Sequence, residues 1–317
     1  MPASLCHKKE EVIDRTEYGA YYVMTENGRI VKGIGGLYSV DTGNGILQCR
    51  ARGKFRLEKI TPMVGDEVTA EITGDGKGYI LQIHTRKNSF VRPPVSNIDI
   101  LIVVASAAEP VTRTILIDRM CAVAVNKEIE PVVLINKCDM DRGNNLYDIY
   151  SFAGIKVLRM SAVTGEGKAE LLDTLEGKVA AFAGNSGVGK SSILNMVAPE
   201  HAAAVGAINE RIGRGRHTTR HVELFKVGNK TFVADTPGFS SFDESAADII
   251  EKEELEYTFS EFIEYIPQCV FTGCSHVNDK GCAVRAAAED GKISRSRYEN
   301  YIVMYNKAKE IKKWEIT

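Results

Sequence analysis

The residues with the plainest chemical purpose are Gly184-Asn185-Ser186-Gly187-Val188-Gly189-Lys190-Ser191, followed by Ser192, which carry the spacing G-x-x-x-x-G-K-[ST]. Glycines let backbone N–H groups curl around phosphate, and an opening helix adds its positive end. A lysine then reaches the β and γ phosphates while a serine hydroxyl ligates Mg²⁺. Asp235-Thr236-Pro237-Gly238 follows the apolar run Phe232-Val233-Ala234. An acid at a strand end can hold Mg²⁺ through water, and a glycine three residues on can offer its N–H to a γ-phosphate. Asn136-Lys137-Cys138-Asp139 ends the run Val132 to Ile135. There a carboxylate can accept from guanine N1–H and N2–H₂, which adenine cannot supply, while a lysine stem packs on the ring. Ser161-Ala162 ends a further run and can offer a backbone amide to guanine O6. Taken singly, Asp235 to Gly238 also reads as a turn and Asn136 to Asp139 as a strand-end turn; jointly with the phosphate loop and Ser161-Ala162 they make a guanine-nucleotide site. A second chemistry lies downstream. Cys269-x₄-Cys274-x-His276-x₅-Cys282 gathers three thiols and an imidazole, a set suited to one closed, structural, tetrahedral Zn²⁺ per chain.

These segments need strands and helices to hold them. Ile98 to Val104, Pro131 to Ile135, Lys156-Val157-Leu158, Val179 to Ala183 and Lys230 to Ala234 are apolar runs. They alternate with helical spacing over Thr114 to Lys127, Leu171 to Leu175 and Ser192 to Val197, the texture of a parallel sheet covered on both faces. Upstream, Arg29-Ile30-Val31, Tyr38-Ser39-Val40, Gly45 to Cys49, Glu67 to Ile72 and Tyr79 to Ile83 are β-prone runs separated by glycine-rich turns. About five strands in so short a stretch suit an OB-type barrel. Arg50, Arg52, Lys54 and Arg56 alternate, which on a strand would place four cations on one face as an RNA-binding stripe or a merely solvated surface. Asp243 to Glu264 holds nine acids and one lysine with helical spacing, and a basic tail runs from Lys292 to Lys313.

Across 317 residues the chain is 44% hydrophobic and 26% charged, which excludes a disordered chain. The formal charge of −2 means that any nucleic-acid binding must come from local patches. No apolar run reaches the roughly 20 residues that span a bilayer, so the expected setting is the cytoplasm with no membrane partner. Seven cysteines, three of them clustered, read better as metal ligands than as a disulfide framework. The expected division is an N-terminal extension at 1–26, an OB barrel at 27–86, a GTPase domain at 87–243 and a helical zinc-binding domain at 244–317.

The base-reading segments precede the phosphate loop, which precedes the Mg²⁺ acid, so the chain has the order of a GTPase whose start has been moved. A parallel sheet tolerates such recutting where the old termini lie close and crossovers stay right-handed. Order, motifs and flanking modules together resemble the bacterial ribosome small-subunit-dependent GTPase A family. These are circularly permuted GTPases with an N-terminal OB-fold and a C-terminal zinc domain. Supporting stretches include Gly33-Ile34-Gly35-Gly36 and Gly213 to Arg220, the latter as first switch. The resemblance implies GTP hydrolysis stimulated by the small ribosomal subunit in its last assembly steps. Implied partners are that subunit and its rRNA, GTP and GDP, with other assembly factors as further candidates and a monomeric state. A nucleotide-gated RNA-binding protein with incidental hydrolysis is the rival; a P-loop ATPase or kinase is opposed by Asn136 to Asp139.

Where many GTPases position water with a glutamine, Phe239 stands after Asp235 to Gly238. His217 resembles the histidine proposed for that role in the family, its competing reading being an RNA-contacting or solvated loop residue. Thr219, preferred to Thr218, is the switch threonine for Mg²⁺. Gly238 and Phe239 lead through Ser240 to Glu254 toward the cysteine segment, so the second switch doubles as an interdomain linker. Zinc removal is expected to unfold the C-terminal module and spare GTP binding.

Overall fold

The computed structural model describes residues 12–16, 19–74, 76–199, 222–235 and 250–311. His217, Thr218, Thr219, Gly238 and Phe239, the first switch, and the linker up to residue 249 lie outside the described residues. Two compact units emerge, the first holding residues 1–89, 94–97 and 221–224 and the second residues 90–93, 98–220 and 225–317.

The first unit is a closed five-stranded barrel. Its strands are β3 (Thr25–Ile34), β4 (Leu37–Asp41), β5 (Ile46–Ala51), β6 (Glu67–Gly74) and β7 (Lys77–Ile83), preceded by the antiparallel hairpin β1 (Val12–Thr16) and β2 (Gly19–Val23). β3 pairs with β4 and β6, β4 with β5, β5 in parallel with β7, and β7 with β6, which closes the ring and removes free edges. Alternation sends Ile30, Val40, Cys49, Val68, Ala70 and Ile80 into the interior, all fully buried. At Gly78 an added Cβ would collide with the Glu71 carbonyl, so the pairing of β6 with β7 requires glycine there.

The alternating cations do not share a strand. β5 stops at Ala51, and Lys54–Leu57 forms a helical turn, α1. The reason is Phe55: the turn sinks its ring to 4% exposure and leaves Leu57 at 87%. Arg50, Arg52, Lys54 and Arg56 remain exposed, but Arg52 is ion-paired to Glu71 and the Lys54 ammonium lies 5.2 Å from the Phe55 ring centroid.

Two short strands, β8 (Ser89–Phe90) and β9 (Val95–Ser96), follow in sequence. The second unit is built on β10 (Ile100–Ser106), β11 (Glu130–Asn136), β12 (Lys156–Arg159), β13 (Val179–Ala183) and, beyond β14 (Glu223–Gly228), β15 (Thr231–Asp235). The order β12-β11-β10-β13-β15 is parallel throughout. From β10 the chain winds outward through β11 to β12, then returns to lay β13 on the other side of β10. The reversal opens a crevice at the carboxyl ends of β10 and β13, the usual ligand position in such sheets.

Helices α2 (Thr114–Asn126), α3 (Asn144–Phe152), α4 (Lys168–Leu175) and α5 (Lys190–Val197) cover the sheet. Ile100, Ile102, Val104, Val132 and Leu134 pack with Leu171 and Leu175 of α4 and Ile193 and Val197 of α5. By alternation Leu101 and Val103 face the other side, where α2 packs on β10 and β11. The C-terminal part adds α6 (Ala283–Glu289) and α7 (Arg295–Glu310). The acidic segment is not a continuous helix where it is described: Leu255–Thr258, Ser260–Phe262 and Ile266–Gln268 are separate 3₁₀ turns. Tight turns let Phe259 and Phe262 both reach the core around Tyr301. Among the described residues no helix is long and apolar enough to cross a membrane.

Candidate functional site

The expected nucleotide segments converge on one edge of the sheet. Ser106 is in register with Asn136, Val103 with Ala183, Ile135 with Arg159 and Ala181 with Ala234. Consequently Asn136, Ser161, Gly184 and Asp235 all stand at carboxyl ends of neighbouring strands. The phosphate loop leaves β13 through Gly184, where a side chain would collide with the Val104 carbonyl. It then passes through Gly187 and Gly189 at φ of +81° and +99°, conformations that favour glycine. A Cβ at Gly189 would also run into the Asn136 amide. Ser191 and Ser192 are exposed at the opening of α5. Half-buried Lys190 donates to the carbonyl oxygens of Gly184 and Asn185, the latter at 2.7 Å. Burial lowers its pKa, and a polyanion beside it would offset that effect.

Asn136 is the hinge pin of the arrangement. Buried at 2% exposure, it donates Nδ2–H to the Val188 carbonyl at 2.8 Å and accepts from the Ala162 amide at 3.1 Å. One side chain thus fastens the phosphate loop to the Ser161 loop. Lys137 follows at φ +63°, with its ammonium donating to the Glu109 carbonyl at 2.6 Å. Cys138 is buried, and Asp139 is exposed. Ser161 is fully buried, and its hydroxyl accepts from the amides of Val163 and Thr164 at 3.3 and 3.1 Å, which shapes the turn. Arg142 and Glu166 pair at 2.5 Å across the two base-side loops, and that bond, with the Cys138 thiol behind it, holds the Glu166 carboxyl below its ordinary range.

Sequence reasoning missed the loop after β10. Ser106 and Thr112 pinch its base, with Thr112 N–H donating to the Ser106 carbonyl at 2.8 Å and Ser106 N–H to Thr112 Oγ1 at 3.0 Å. Between them Pro110 lies 3.1 Å from where a Gly187 Cβ would sit, and Glu109 receives Lys137. No motif marks these residues; only the strand order places them beside the crevice.

The second site forms as its spacing predicts. The ligand atoms of Cys269, Cys274, His276 and Cys282 all lie within 4.8 Å of one another, and His276 Nδ1 is 3.6 Å from Cys269 Sγ and 3.4 Å from Cys282 Sγ. Amides of Ala283 and Arg285 donate to Cys269 Sγ and Cys282 Sγ, both at 3.3 Å, as they would to thiolates. Burial pushes the Cys274 thiol up to about 12 and raises Cys282, so gathered thiolates here call for a cation among them. Glu256 stands 2.5 Å from His276 Nε2 and fixes the tautomer that leaves Nδ1 free for a metal. The donor set, closed geometry and carboxylate-histidine support fit a structural metal.

Residues 83–245 match the family described as RsgA GTPase, and residues 27–80 match the RsgA N-terminal domain. The chain belongs to the RsgA GTPase family. It is 46% identical over 289 residues to the small ribosomal subunit biogenesis GTPase RsgA of Caldanaerobacter subterraneus subsp. tengcongensis, covering 90% of this chain and 97% of that one. The RsgA of Geobacillus sp. strain WCH70 is 44% identical over 291 residues, covering 90% and 98%. Among solved structures, YjeQ from Thermotoga maritima superposes with a TM-score of 0.79 at 35% identity, covering 91% of this chain and 100% of that one. YloQ, described as a circularly permuted GTPase, gives 0.77 at 34%, covering 94% and 99%. An OB-like barrel, a circularly permuted GTPase core and a C-terminal Cys₃His cluster therefore make up this RsgA GTPase.

Proposed function

We propose that this RsgA GTPase binds the small ribosomal subunit through its rRNA and hydrolyses GTP in late subunit assembly, its release coupled to hydrolysis. The observation that carries the reading is Asn136, which joins a phosphate loop to two base-side loops at one sheet edge. Asn136, Lys137, Asp139, Ser161 and Ala162 take the guanine; Gly184 to Ser192 take the phosphates. Ser191, Asp235 and Thr219 would hold Mg²⁺, which supplies charge neutralisation of the phosphates, and Gly238 would meet the γ-phosphate. Ser191 at the mouth of α5 and Asp235 at the end of adjacent β15 support that ligand set. His217 is the proposed catalytic group, orienting water. The Cys₃His cluster would hold one Zn²⁺, and exposed Arg50, Arg52, Lys54 and Arg56 would meet RNA phosphates. We place the protein in the cytoplasm as a monomer, alongside other assembly factors.

GTP turnover by the full chain with and without small subunits tests the reading. Stimulation is expected; absence of turnover in both conditions overturns it. Asp139→Asn should weaken GTP binding by about 10- to 100-fold while improving xanthine nucleotide binding, because the amide donates where the carboxylate accepted. Competition titrations with GTP and xanthosine triphosphate check this. His217→Ala should reduce subunit-stimulated turnover by on the order of 10²-fold with nucleotide and subunit binding retained. An equal loss of subunit binding would assign it to RNA contact instead.

A further inference from the structure

The start of α2 is held by residues from the far end of the chain. Its N-cap, Arg113, makes no side-chain capping bond, and Thr114, the first helical residue, is gripped by α7: Ser296 donates to Thr114 Oγ1 at 3.2 Å and Asn300 Nδ2 at 3.0 Å. One turn on, buried Asp118 accepts from Asn300 Nδ2 and from Arg297 at 2.6 Å each. Arg297 is itself buried and held by both carboxylate oxygens of Glu261. The adjoining side of α7 belongs to the metal loop, where Tyr298 and Tyr301 donate to the carbonyls of His276 and Ser275 at 2.8 and 3.0 Å. α7 therefore meets the Cys₃His segment and α2 along two neighbouring stripes.

Thr114 directly follows the loop at 107–113, which carries Glu109 and Pro110. That loop leaves no room for a side chain at Gly187, where an added Cβ would stand 3.1 Å from Pro110, and its Glu109 carbonyl accepts from Lys137. Hydrogen bonds thus run from the metal loop along α7 to Asn300 and Thr114, and the backbone carries the path on through the loop at 107–113 to the crevice between β10 and β13.

We infer that Asn300 and Thr114 are positioning residues for the nucleotide: α7 fixes the loop at 107–113, which in turn holds the phosphate loop and Lys137 in their binding geometry. The C-terminal module is thereby a working part of the nucleotide site, although none of its described residues stands at the crevice. The inference rests on the nucleotide reading given above. Packed networks of this kind couple sites by about 0.5–2 kcal/mol, which is roughly 2- to 30-fold in affinity.

The test measures binding of a fluorescent GDP by the full-length chain, together with hydrogen exchange of amides 107–113, for Asn300→Ala, Thr114→Val and Thr114→Ser. Wild-type binding is the reference arm; its absence would overturn the nucleotide reading and this inference with it. With wild-type binding present, Asn300→Ala should lose affinity by roughly 3- to 30-fold and Thr114→Val by about 3-fold, each with faster exchange at 107–113. Thr114→Ser, which keeps the hydroxyl, should restore both readouts, as a merely structural methyl would not. Should Asn300→Ala fail to fold, the Thr114 pair decides alone. Wild-type affinity and wild-type exchange in Thr114→Val would overturn the inference.

Discussion

Cys274→Ser, or exhaustive chelation, is expected to unfold the C-terminal module and to lower nucleotide affinity with it. A Cys₃His metal site contributes on the order of 10 kcal/mol of folding free energy, comparable to the roughly 5–15 kcal/mol that stabilises an entire domain. The sequence alone suggests that this loss stops at the module boundary, because the GTPase sheet has its own core. The packing argues otherwise. Phe262 and Tyr301 pack on the imidazole of His276, while Arg297 and Asn300 on the same α7 bond to Asp118 of α2. Circular dichroism and GDP titration before and after chelation check the expectation, with elemental analysis giving one metal per chain beforehand. A metal-free protein that melts at the same temperature would refute the structural-metal assignment. Unchanged GDP affinity in a protein whose C-terminal helices have melted would restore the sequence-based view.

Arg297→Leu is expected to destabilise the protein by about 3–5 kcal/mol, because it strands two carboxylates out of water. Asp118 is 1% exposed, and the Glu261 side chain is 9% exposed beside the guanidinium. Desolvation already raises the Asp118 pKa, with Arg297 opposing it, so deletion of the cation removes the main opposing influence. The guanidinium also lies 4.8 Å from the Phe259 ring and 5.6 Å from the Tyr150 ring, contacts that a lysine would not reproduce. Urea denaturation of the wild type, Arg297→Leu and the triple variant with Asp118→Leu and Glu261→Met measures the effect. The triple variant should recover most of the loss, since apolar replacement of a whole buried ionic cluster is often neutral. A single variant within 1 kcal/mol of wild type would show that the cluster is hydrated.

The contrast between these residues and the motif residues explains what the sequence makes legible. Strands buried on both faces declare themselves as apolar runs, and a phosphate loop is bounded by the backbone needs of Gly184 and Gly189. Cys₃His spacing is short-range and therefore visible. Arg297 sits in a stretch that reads as a basic tail, and only the packing of α7 on α2 turns it inward. Glu256 is one of nine acids in its segment, with no spacing that singles it out as the partner of His276. The Arg50 to Arg56 alternation misleads because a single buried ring, Phe55, outweighs the strand period and bends the chain into a turn. Contacts that join residues more than a hundred positions apart leave no local pattern to read.

The placement of β10, β11 and β12 has a consequence for how the protein is made. These three strands are successive in the chain and adjacent in the sheet, so their pairing involves short loop closures, whereas β13 must return across the finished half to reach β10. Synthesis runs from the N-terminus at about 5–20 residues per second, so the half ending at Arg159 leaves the ribosome seconds before the phosphate loop does. During that interval Asn136 can meet the Ala162 amide while the Val188 carbonyl is still inside the ribosome. A nascent chain of this topology shapes its base-side loops first and acquires its phosphate grip last. Nucleotide can then act as a late folding ligand, stabilising the chain only once both halves have emerged.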